Sequence, residues 1–295
     1  MIVDSFYQQG NSHEVCEDYA LHGDNFAIVS DGCSNGGGSS IESDWGSRLL
    51  CKAAEDNIRL LNPDQFISVV AGQTVVMKNS LPNLNPKCLT ATLMVLRALD
   101  DKFQALVVGD GVIGGKRRDG RWKIHTINFS GGAPYYLKYK MYGEDAFYFT
   151  EFGDQYKVQS YFGRLFSEED VPEDYKLADR EKFWSQQVTF TENQRTLDPN
   201  KPYNVFEFPL DEYEFAFVCS DGMESFQKLS VTPTGKFNEN ILILDALRVV
   251  MDFKVFRPGF ARLQRNWAFK AQKQGTLLSR GWKNFDDVSM GIIHV

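Results

Sequence analysis

Apolar runs in this chain are short, and several stop abruptly at the same dipeptide. Residues 26–30 read Phe-Ala-Ile-Val-Ser, without the alternation of a half-exposed strand, so they predict a strand buried on both faces. The run ends at Asp31-Gly32 and gives way to the loose stretch Cys-Ser-Asn-Gly-Gly-Gly-Ser-Ser at 33–40. Residues 105–109 repeat the design and end at Asp110-Gly111, and residues 215–220 repeat it again and end at Asp221-Gly222. Further strands are predicted over 1–7, over the short stretch to His22 turned back by Gly23-Asp24-Asn25, and over 89–96, 112–116, 121–127 and 288–295. Helical spacing appears in Ile41, Trp45, Leu49 and Ala53, with Ser39-Ser40 as N-cap. It returns after Asn62-Pro63, with Phe66, Val69, Val70 and Val76 as an apolar face. Two more helices are expected over 240–251 and 258–274. From about 129 to 211 the pattern has no clean period, yet its many aromatic residues argue against disorder. This stretch reads as an irregular insertion or flap within one domain spanning 1–295.

Asp-Gly is an ordinary turn signal, and at Asp119-Gly120, between two strands of a meander, it is only that. Asp31 and Asp221 are different, because no second alternating strand follows either one. A buried strand that delivers a carboxylate to its end holds that group on a rigid support, and Gly lets the backbone carbonyl approach an ion. Clustered carboxylates repel unless a cation lies between them, and hard oxygen donors favour Mg²⁺ or Mn²⁺ over zinc. Glu17-Asp18 enters the hairpin that returns to Asp31. Neighbours on a strand face opposite ways, so one of the two is expected to aim at the cluster. Asp286-Asp287 precedes the last strand and meets the other acids if that strand runs antiparallel to its neighbours.

Composition narrows the classes. The chain has 295 residues, 43% of them hydrophobic, which suffices for a large core. A net charge of −7 argues against nucleic acid or an anionic membrane as partner. Five cysteines without CxxC spacing suit a reducing cytoplasm rather than a disulfide framework, and no run is long enough to span a bilayer.

The ordered series Glu17-Asp18, Asp31-Gly32, Thr90-Ala-Thr92, Gly109-Asp110-Gly111, Ser220-Asp221-Gly222 and Asp286-Asp287-Val-Ser resembles the metal-dependent protein serine/threonine phosphatases of type 2C (the PPM family), closest to their bacterial branch. The resemblance covers 1 to about 128 and about 212 to 295. It implies an α+β fold: a four-layer α-β-β-α sandwich, two mostly antiparallel sheets flanked by helices, with a binuclear metal site at one edge. It implies two Mn²⁺ or Mg²⁺ ions. Asp31 bridges them, the Gly32 carbonyl binds one, Asp221 and Asp286 complete the other, Glu17 and Asp18 act directly or through water, and Asp110 helps hold a weaker third. The implied reaction is hydrolysis of phosphoserine and phosphothreonine in proteins by a water held between the ions. Its implied partners are a phosphoprotein substrate and a cognate Ser/Thr kinase. Asp31 and His13 are the catalytic candidates. His13 stands where many members carry a phosphate-binding Arg, and Cys33 stands where many eukaryotic members carry a His acting as general acid. These two departures leave a second reading open: a weak or inactive phosphatase-like module that binds a partner.

Overall fold

The computed structural model describes residues 1–10, 13–33, 43–164, 188–232, 235–240, 243–244, 246–247, 282–284 and 286–295. The glycine run with the Ser39-Ser40 cap, the acidic stretch near 170 and the helix expected over 258–274 lie outside them.

Two sheets carry the fold, and every pairing between described strands is antiparallel. The five-stranded sheet has the order β10 (Asn204–Pro209), β5 (Lys102–Val108), β4 (Leu93–Ala98), β3 (Phe26–Ser30), β2 (Tyr19–His22). The seven-stranded sheet has the order β1 (Ile2–Gln8), β15 (Val288–His294), β11 (Tyr213–Cys219), β6 (Gly111–Arg117), β7 (Arg121–Phe129), β8 (Gln155–Arg164), β9 (Val188–Thr196). A small third sheet joins β12 (Phe226–Thr232), β13 (Gly235–Asn240) and β14 (Trp282–Asn284).

The core explains the continuous apolar runs. β3 and β4 are buried along their whole length because the second sheet covers one face and helices cover the other. Those helices are α1 (Ser43–Asp56) and α2 (Pro63–Asn79), which contribute Leu50, Ala53, Phe66 and Val70 to the same core. The far face of the seven-stranded sheet packs Val112, Phe217 and Met290 against the helical residues Leu244, Ala246 and Leu247. The expected layers are present: helix, sheet, sheet, helix.

Several boundaries moved. Residues 86–89 form a 3-10 turn opened by Pro86, so the strand expected from 89 begins at Leu93. α2 has Asn62 as its cap, its side chain accepting from the Gln65 N–H at 3.0 Å. Its buried face is Phe66, Ile67, Val70, Ala71 and Thr74, whereas Val69 and Val76 face solvent. The aperiodic middle is regular where described: α3 (Leu137–Tyr142), α4 (Asp145–Phe152), β8, β9 and β10. β9 is exposed on both faces after Val188, so no period-2 pattern marks it.

Candidate metal centre

Four strand termini converge at one edge of the sandwich. β3 delivers Asp31, fixed by the neighbouring Thr90-Ala-Thr92 segment. The Asp31 N–H donates to Thr92 Oγ1 (3.0 Å), the Thr92 N–H donates to the Asp31 carbonyl (2.9 Å), and the Cys33 N–H donates to the Thr90 carbonyl (2.8 Å). Gly32 forms an isolated bridge to Ala91. Asp110 occupies the β5–β6 turn between Gly109 and Gly111, whose φ values of 95° and 135° exclude most other residues. Asp221 follows β11 and opens a 3-10 turn, Asp221–Ser225. The β11–β15 register pairs Cys219 with Met290, so the start of β15 lies beside the end of β11 and Asp286 beside Asp221. Gly222 permits this approach: a Cβ there would sit 1.7 Å from the Asp287 carbonyl oxygen.

Two serines lock the junction. The Ser289 N–H donates to Ser220 Oγ at 2.9 Å, and the Ser289 hydroxyl donates to Asp18 Oδ2 at 2.6 Å. Asp18 is 1% exposed and its Oδ1 has no hydrogen-bond partner among the described residues. Burial lifts its pKa to about 7. Burial also lifts Asp31 and Asp110 well above the usual carboxylate range; Asp18 and Asp221 add to it at Asp31, and Asp221, Glu224 and Asp286 at Asp110. Asp286 and Glu224 are raised for the same reasons, burial first and Asp221 next. These side chains share one electrostatic environment, which holds Asp18, Asp31, Asp110, Asp221 and Asp286 and adds Glu224. The signal for Glu224 was its place three residues after Asp221.

Asp286 and Asp287 separate. Asp286 is partly open and bonds locally: its N–H donates to Ser225 Oγ (3.1 Å) and its Oδ1 accepts from the Asp287 N–H (2.9 Å). Asp287 is 2% exposed and accepts from the Gly10 N–H (2.6 Å) and the Glu17 N–H (2.5 Å). His13 is half-buried beside two carboxylates. Its Nε2 lies 3.3 Å from Asp286 and its Nδ1 3.0 Å from Asp287. Burial lowers its pKa, but the hydrogen bond and charge of Asp287, with Asp286 and Glu17, outweigh burial and raise it. Glu17 is buried too, and Asp18 is the neighbour that meets Asp31. Cys33 is held by Tyr136, the residue before α3, and burial raises its thiol so that it stays neutral.

Among the described residues no three of these side chains already lie close enough to form a metal cage. The donor set still fits hard divalent cations: carboxylate oxygens only, mutually repelling, with one buried carboxylate oxygen unpartnered.

Comparison with solved structures shows the fold class. A bacterial serine phosphatase superposes with a TM-score of 0.50 at 11% identity, covering 100% of this chain and 98% of that one. A point variant of that enzyme gives the same values. The serine/threonine phosphatase Stp1 from Staphylococcus aureus gives a TM-score of 0.48 at 11% identity, covering 99% of this chain and 94% of that one. A search of curated proteins by sequence returns no match. Residues 9–134 match the model for protein phosphatase 2C.

Proposed function

We propose that this chain hydrolyses phosphoserine and phosphothreonine in proteins, with two Mn²⁺ or Mg²⁺ ions at the strand-end carboxylates. The carrying observation is that Asp18, Asp31, Asp110, Asp221 and Asp286 lie near one another at one edge of the sandwich, and the match of residues 9–134 to protein phosphatase 2C supports the reading. Asp31, the Gly32 carbonyl, Asp221, Asp286, Glu17 and Asp18 would hold the pair, and Asp110 with Glu224 would attract a third. Bound there, such ions acidify water and neutralise the charge of a phosphoryl group.

The chain's own residues orient and support that site. Ser289 fixes one oxygen of Asp18 and leaves the other free to bind. Thr92 and Ala91 hold the turn that presents Asp31 and the Gly32 carbonyl. Asp287 and His13 tie the segment bearing Glu17 to the loop bearing Asp286. With both ring nitrogens at carboxylates, His13 positions these groups and is not free to replace a phosphate-binding Arg. Cys33, kept neutral, adds no charge beside Asp31 and supplies no strong general acid. A phosphoprotein and its kinase are the partners this reading entails, and the cytoplasm is its proposed location; no helix among the described residues is long and apolar enough to cross a membrane.

The alternative, a module that binds phosphoprotein without turnover, draws on the engagement of His13. Hydrolysis of p-nitrophenyl phosphate and of a phosphothreonine peptide separates the two. Turnover that needs Mn²⁺, stops with chelator and disappears in Asp31→Asn supports the enzyme. Bound Mn²⁺ without turnover, or turnover surviving in Asp31→Asn, refutes it.

A further inference from the structure

At the opposite end of β3 from Asp31 lies a cavity of about 450 Å³, open between the β2–β3 turn, the α1–α2 connection and the β4–β5 turn. The five residues of β3 separate it from the carboxylates by roughly 16 Å. One wall is Arg97, 2% exposed. Its Nη1 donates to the carbonyls of Leu60 (2.7 Å) and Ile58 (3.3 Å), and its Nη2 donates to Gln104 Oε1 (3.0 Å). Its guanidinium carbon lies 5.1 Å from the centre of the Phe66 ring. Each of these partners is neutral. Arg97 has no ion pair among the described residues, and its Nε is buried with no acceptor. Burial alone acts on its pKa, downward, with no acid opposing it. A buried charge without a counter-charge is costly, and an anion brought to it is attracted through a poorly screened medium.

The rest of the wall matches an anion with an apolar body. Arg59 is exposed at the rim and also forms no ion pair among the described residues, while Asp24 is the single acid in the lining. Phe26, Ile58 and Leu61 supply apolar surface, with Leu61 58% exposed. The volume lies within the range of small-ligand sites. We propose that this cavity binds a small organic anion. Its oxyanion head, phosphate or carboxylate, lies between Arg59 and the field of Arg97, and its compact body rests on Phe26 and Leu61.

The test is calorimetric titration of the full chain in chelator with phenylphosphonate, benzoate and inorganic phosphate. One saturable site is expected for phenylphosphonate or benzoate, and the tighter of the two identifies the head group. Inorganic phosphate, lacking the body, should bind more weakly. Arg59→Ala should weaken binding at least about fivefold, and Arg97→Lys should weaken it further. Asp31→Asn should leave it unchanged. If Arg97→Lys fails to fold, Arg59→Ala, at an exposed side chain, decides. No saturable binding by concentrations on the order of 10 mM overturns the proposal, as does affinity unmoved by Arg59→Ala or abolished by Asp31→Asn.

Discussion

Asp286 and Asp287 are adjacent and chemically identical, yet their replacement should give opposite phenotypes. Asp287 is a strut: its carboxylate takes the buried Gly10 and Glu17 N–H groups at 2.6 and 2.5 Å and faces the half-buried His13 at 3.0 Å. Alanine there strands two buried donors. Hydrogen bonds to a charged group contribute about 1.5–3 kcal/mol each, and relief of the buried charge offsets part of the loss. A net destabilisation of about 2–4 kcal/mol follows. For a chain of 295 residues the unfolding entropy near the midpoint is about 0.6 kcal/mol/K, so Asp287→Ala should lower Tm by about 3–7 °C. Asp286 accepts one local N–H and stands among other acids that raise its pKa. Asp286→Ala should shift Tm by less than about 2 °C in chelator while removing Mn²⁺-dependent turnover. Thermal unfolding in chelator, followed by circular dichroism, measures both variants. If Asp287→Ala melts within about 1 °C of wild type, or Asp286→Ala falls as far, the assignment of strut and ligand is wrong.

Three further outcomes are expected. Asp31→Asn should abolish turnover and raise Tm in chelator, because it replaces a buried acid whose ionisation burial, Asp18 and Asp221 all oppose; a Tm below wild type would contradict that unfavourable environment. Burial lowers the pKa of His125 from 6.5 to about 4, with Lys123 and Arg195 adding to the effect, so the unfolded chain binds its proton first. That contribution is intact above pH 6.5 and is lost as pH falls toward 4, by about 3 kcal/mol in all; His125→Gln should lose less stability across this window in urea titrations, and parallel curves would refute it. Gly222→Ala forces a Cβ into the Asp287 backbone and should cost several kcal/mol and the activity, whereas Gly120→Ala, at φ 84° with no atom near its Cβ, should cost only about 1 kcal/mol of strain. Equal urea midpoints for the two would remove the role given to Gly222.

The strand-end acids were legible because β3 and β11 are buried on both faces: each reads as an unbroken apolar run, and its end is marked by Asp-Gly. The layers came from the resemblance that those acids carry, not from the runs themselves. Other features left no periodic trace. β8 and β9 pair over nine residues, but little covers β9, so nothing selects alternation. The role of His13 depends on contacts with residues more than 270 positions away, which no local pattern encodes. The division of labour between Asp286 and Asp287 turns on a rotation about a single peptide, and composition is blind to it.

β15 is hydrogen-bonded between β1 and β11, with Ile2 opposite His294. During synthesis β1 therefore waits until residues 288–294 have been made before its partner emerges, a long-range closure that is slow to form. Until residues 288–294 leave the ribosome, β1 and β11 present open edges on either side of a missing strand, a state prone to aggregation. Asp286 immediately precedes that strand, and Ser289 within it holds Asp18. A chain cut short before this point lacks the strand between β1 and β11 and the serine that holds Asp18, so the sheet and the acid cluster are completed in the same step.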